Sequence, residues 1–82
     1  MIIKEYEVEN LACPASWYVK LDTGHLMRVV YRWGRLVVTK SYQPTRNKWD
    51  ALAGQEIYDK RIGERYDGVI GWDLVEEIIK NL

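Results

Sequence analysis

From Ile2 to Glu9 the chain alternates, with Ile2, Tyr6 and Val8 on one face and Glu5, Glu7 and Glu9 on the other. Period two with one apolar face is the pattern of a half-buried strand, and Lys4 is the one residue out of step. Asn10 to Ala15 breaks the alternation around Pro14 and reads as a loop. Strand character returns from Ser16 to Leu21, and Asp22-Thr23-Gly24 supplies a turn in which glycine takes a positive φ. His25 to Arg32 and Arg35 to Tyr42 are rich in β-branched and aromatic residues and are separated only by Trp33-Gly34. Residues 16–42 therefore read as a three-stranded antiparallel meander.

Gln43-Pro44-Thr45 ends that meander. Thr45 or Asn47 is placed to cap a short helical turn carrying Trp49, Leu52 and Ala53, closed by Gly54. Gln55 to Ile62 is ambiguous between strand and loop, and Asp67-Gly68 marks a turn. In the last segment Trp72, Leu74, Val75, Ile78, Ile79 and Leu82 recur at helical spacing, with Asp73, Glu76, Glu77 and Lys80 between them. Acids early and a lysine late suit the helix dipole. The expected fold is a single small α+β domain over residues 1–82. It consists of a mostly antiparallel sheet, the 16–42 meander plus the amino-terminal strand, with the carboxy-terminal amphipathic helix packed on one face.

Eighty-two residues leave room for little more than that. A chain of this length buries only about 60% of its unfolded surface, which excludes a cofactor domain beside a substrate domain. No apolar run approaches the roughly 20 residues of a membrane span. The charged amino terminus does not read as a signal peptide. One cysteine, Cys13, cannot form an internal disulfide, so a reducing cytoplasm is the expected location. Trp17, Trp33 and Trp49 fall 16 residues apart, but the segments around them do not align as repeats.

Charge changes the picture more than composition does. The net charge is zero, yet residues 20–48 carry seven basic side chains against Asp22 alone, while both ends are acidic. Either the acidic ends fold back over the basic middle, or the middle faces an anion. If Trp33-Gly34 is a two-residue turn, Arg32 opposes Arg35, Tyr31 opposes Leu36, Val29 opposes Val38 and Arg28 opposes Thr39. Met27, Val29, Tyr31, Leu36 and Val38 then share a core face, and Arg28, Arg32 and Arg35 share the other around Val30 and Val37. Opposed arginines repel unless an anion lies between them. A three-residue turn with a bulge at Gly34 would instead oppose Tyr31 to Arg35 and mix the faces.

No catalytic constellation emerges. His25 is the only histidine, and nothing in the pattern brings it to Cys13. One histidine and one cysteine do not complete a zinc site, and the acids lack the spacing of a calcium loop. Gly68-Val69-Ile70-Gly71 has the bare GxxG spacing but an apolar middle pair, unsuited to phosphates. No cofactor and no metal are expected.

All ten aromatic residues are tryptophan or tyrosine, types enriched at interfaces. The chain begins at Met1 and lacks linker-like ends, which suggests a free-standing product. The leading expectation is a non-enzymatic binding protein, a regulator or inhibitor of the kind mobile elements carry, acting by protein–protein contact. The expected surface comprises Arg28, Arg32, Trp33, Arg35, Lys40, Tyr42, Arg46 and Lys48. The alternative is a nucleic-acid-binding protein that uses the same basic and aromatic stretch, residues 28–48, on phosphates and bases. No membrane partner is expected.

Overall fold

The computed structural model describes residues 1–12, 14–63 and 70–82. Five strands follow one another in chain order as an antiparallel meander: β1 (Ile3–Asn10), β2 (Ala15–Leu21), β3 (Leu26–Arg32), β4 (Arg35–Lys40) and β5 (Gln55–Arg61). A short helix, α1 (Lys48–Leu52), lies between β4 and β5, and α2 (Trp72–Lys80) follows the sheet. The architecture is α+β, with a sheet that runs past the expected meander to a fifth strand. Cys13 and the 67–68 turn lie outside the described residues, as does the first half of the GxxG stretch.

Sequence alternation becomes burial through the pairing register. Residues directly opposite on neighbouring antiparallel strands share a face. Val8 opposes Trp17 and Tyr6 opposes Val19. Trp17 in turn opposes Val29, and Val29 opposes Val38. This face carries the main core: Ala15, Trp17, Val19, Leu21, Met27, Val29, Tyr31, Leu36 and Val38 are buried in one cluster with Val75 and Ile79 of α2. The Trp72 ring stacks on Tyr6, with ring centroids 3.9 Å apart, and meets Trp17 at a tilt. Two residues of the expected helical stripe stay exposed. Leu74 lies one residue, about 100° of helical rotation, from Val75, and Leu82 lies beyond the last turn.

One expected position on β1 is corrected by a bulge. Ile3, not Ile2, opposes Leu21, and the register shifts between Ile3 and Glu5. Lys4 sits at this irregularity, so the strand absorbs the residue that broke the alternation, and Ile2 is left exposed.

Among the described residues the second face, made by Glu5, Glu7, Tyr18, Lys20, Leu26, Arg28, Val30, Arg32, Arg35, Val37 and Thr39, is closed at one end only. There Ala51 of α1 is fully buried in a small cluster with Tyr18 and Leu26. The Asn47 side chain accepts from the Trp49 N–H and caps α1, satisfying a donor that the first helical turn leaves open. Ser41 anchors the approach to α1: its buried hydroxyl accepts from the Leu26 N–H and donates to the Gln43 carbonyl. Gly54 returns the chain to β5 at a place with no room for a side chain. A methyl group there would overlap the backbone carbonyl of Lys40.

Candidate functional site

The turn between β3 and β4 settles the faces. Trp33 has φ 52° and Gly34 φ 77°, so both turn residues are left-handed. Positive φ at both positions belongs to the two-residue hairpin turn whose twist matches that of the strands. Arg32 therefore opposes Arg35, and Arg28 opposes Thr39. β5 continues the row, because Arg35 also opposes Arg61. Three arginines, one from each of three adjacent strands, line the hairpin end of the second face.

Backbone and side-chain bonds hold the turn against the end of β5. The Gly34 carbonyl accepts from the N–H groups of Ile62 (2.8 Å) and Gly63 (3.0 Å). Arg61 donates through Nη1 to the Trp33 carbonyl at 2.8 Å. Trp33 is the one non-glycine residue with positive φ among the described residues, and it is 54% exposed. Left-handed backbone costs an ordinary residue about 1–2 kcal/mol, because Cβ crowds the following carbonyl oxygen. The indole is thus presented to solvent from a strained but fixed position.

Next to Trp33 lies an open hollow of about 510 Å³, lined by Arg28, Val30, Arg32, Trp33, Arg35, Val37 and Arg61. Val30 and Val37 oppose each other and are half-buried, forming an apolar floor within a cationic rim. The acidic edges reach part of this rim. Glu9 of β1 accepts from Arg28 Nη2 at 3.0 Å and from the Ser16 hydroxyl at 2.8 Å. Burial pushes the Glu9 carboxyl up, but the hydrogen bonds from Ser16, Arg28 and Tyr18 outweigh it and leave the pKa below its ordinary value. Asp59 of β5 holds Arg35 with both oxygens, on Nε and, at 2.6 Å, on Nη2. That guanidinium lowers the Asp59 pKa, and Asp59 in turn raises that of its neighbour Glu56 through a hydrogen bond.

Of the two alternatives that the charge pattern left open, acids of the chain's own ends folding back over the basic middle is the one seen at Arg28 and Arg35. Their partners come from the edge strands, not from α2, whose Glu76 pairs with Lys80. Arg32 is exposed and in no ion pair with any described residue. Arg28 Nε is shielded from solvent and has no acceptor among the described residues.

The remaining expected site residues lie elsewhere. Arg46 and Lys48 border a smaller hollow of about 260 Å³ at the α1 end, with Glu5, Glu7, Tyr18 and Leu26. There Lys48 pairs with Glu7 and lies 4.8 Å above the Tyr18 ring. Lys40 and Tyr42 line neither hollow; Lys40 opposes Met27 and Gln55, and Tyr42 is exposed beyond the end of β4. Arg61 belongs to the site but not to the expected set. Its only signal in the sequence is a basic pair, Lys60-Arg61, ahead of Ile62-Gly63, and that pair is informative only once β5 is known to pair with β4.

His25, the only histidine, has its Nδ1 2.7 Å from the Thr23 hydroxyl within its own turn. Among the described residues no group of histidine, cysteine and acidic side chains is arranged to hold a metal ion, and no helix is long and apolar enough to cross a membrane. No family model, curated protein or solved structure matches this chain.

Proposed function

We propose that this chain is a small non-enzymatic binding protein, a regulator or inhibitor that acts by protein–protein contact through the hairpin end of the second face. The observation that carries the reading is Trp33. A tryptophan in left-handed backbone lowers the stability of a domain whose whole margin is about 5–15 kcal/mol, and asparagine or glycine would occupy the position without that cost. An exposed residue that works against the fold, fixed beside a hollow, fits a role in contact. Tryptophan and arginine are also the side chains most often found as binding hot spots.

The groups converging on the hollow support contact over catalysis. Guanidinium groups keep their protons throughout the accessible pH range and do not serve as general bases. We also read α2 as the cover of the core face, which leaves the second face for a partner. A single cysteine in so small a domain favours a cytoplasmic setting.

The test is affinity capture from a lysate of the source cells, at low salt and at about 0.15 M salt, with the wild-type chain and Trp33→Asn. The expected result is a stoichiometric protein partner on the wild type, reduced at least tenfold on the variant. Recovery of no stoichiometric protein by the folded wild type, or equal recovery by both chains, overturns the reading.

A further inference from the structure

We infer that the hollow beside Trp33 receives an acidic segment of the partner protein, with carboxylates seated on Arg32 and Arg61. This inference rests on the binding reading above and names the chemistry of its partner. Arg32, Arg35 and Arg61 oppose one another across β3, β4 and β5, at strand spacings of about 4.8 Å. Like charges directly opposite destabilise a sheet. Asp59 neutralises the middle arginine alone. Arg61 has a neutral carbonyl as its hydrogen-bond acceptor, and Arg32 has no ion pair among the described residues. Among the described residues, Arg28 and Arg35 of the four guanidiniums lining the hollow have carboxylates and the outer two of the row do not.

The surroundings favour carboxylates of a protein over the phosphates of a nucleic acid. Glu9 lies on the β1 edge beside Arg28, and Asp59 and Glu56 lie on β5, the edge strand that also carries Arg61. Toward the far end of the strands the way is occupied by α1 over Tyr18 and Leu26. A continuous polyanion crossing the sheet would meet Glu9, Asp59 and Glu56 together, whereas a short segment with two carboxylates passes only Asp59, whose charge Arg35 already neutralises. Arg32 and Arg61 stand two strands apart, about 10 Å at the backbone. Residues i and i+2 of an extended segment place carboxylates about 7 Å apart, and the long arginine stems span the difference. Val30, Val37 and Trp33 then meet the apolar parts of that segment.

Titration of the full ¹⁵N-labelled chain with capped pentaglutamate, followed by NMR at low salt, tests the inference. Ten-residue oligo-dT and inorganic phosphate serve as parallel probes. Pentaglutamate is expected to shift the Arg32 and Arg61 Nε–H and Trp33 indole signals saturably. Its affinity should fall at least tenfold in Arg32→Gln/Arg61→Gln. Arg32→Gln alone, at an exposed side chain, should leave the backbone spectrum unchanged and still weaken binding. No saturable shift at these groups, an unchanged affinity in the double variant, or tighter binding of oligo-dT or phosphate than of pentaglutamate overturns the inference. The lysate capture is scored on Trp33, so a partner lost with Trp33→Asn while pentaglutamate fails to bind would remove the acidic segment and keep the binding role.

Discussion

The two faces of the sheet are made by the same strands and held together in different ways. On one, Met27, Val29, Tyr31, Leu36 and Val38 are at most 1% exposed and share a cluster with Val75 and Ile79. On the other, their immediate neighbours Arg28, Val30 and Val37 are half-buried, and Arg32 and Arg35 are exposed. The first face is stabilised by burial, which is non-directional and grows with apolar area. The second depends on directional pairs, Glu9 with Arg28 and Asp59 with Arg35, and on one small cluster under α1. An 82-residue chain concentrates its apolar side chains on one side of five strands. The other side is left partly open and polar, and such a surface can be given to recognition at little cost in stability.

Substitutions at adjacent residues break this comparison most directly. Leu36→Ala removes a fully buried side chain from the core face and should cost about 2–5 kcal/mol. Val37→Ala, one residue on and half-buried on the open face, should cost under about 1 kcal/mol, since far less area returns to water. Urea unfolding of both variants measures the difference, and equal losses would show that the open face is as tightly packed as the core.

Gly54→Ala comes next, because the added methyl group meets backbone and not a side chain that can swing away. A loss of about 1–3 kcal/mol is expected, confined in hydrogen exchange to α1 and the start of β5. Protection lost across β1 and β2 as well would mean that the α1 end and the rest of the sheet unfold as one unit.

Trp33→Asn should move stability the other way. Relief of the left-handed strain raises it by up to about 1–2 kcal/mol, read as a higher thermal midpoint. A lower midpoint would place the indole in the service of the fold and remove the main support for a contact role.

Acid titration gives the smallest effect. The Glu9 pKa is depressed in the folded chain, so its contribution is complete above the ordinary glutamate range and is lost as the pH falls through the lowered folded value. A pair this exposed contributes no more than about 1 kcal/mol. Glu9→Gln should flatten the acid limb of stability by that amount and leave the slope at neutral pH unchanged. An unaltered acid limb would show that the Glu9–Arg28 pair adds nothing to the second face.

Local chemistry settled much of this protein. Alternation between Ile2 and Tyr42 marks four strands, Thr45 or Asn47 marks the start of a helical turn, and the recurrence of Trp72, Leu74, Val75, Ile78, Ile79 and Leu82 marks α2. Each of these signals spans a few residues, with period two or 3.6, and survives whatever the rest of the chain does. Even the opposition of Arg32 and Arg35 was written in the chain, conditional on Trp33 accepting a positive φ that its side chain disfavours. Tertiary structure alone decided three things. β5 has a mixed pattern because a register shift at Val38 and Thr39 interrupts its pairing with β4, so its periodicity is not clean. Arg61 joined Arg35 and Arg32 only through that pairing, across 26 residues of sequence. The acids that meet Arg28 and Arg35 arrived from 19 and 24 residues away, on the two edge strands. Side-chain periodicity reports which face a residue takes, whereas strand order and bulges decide which residues of that face become neighbours.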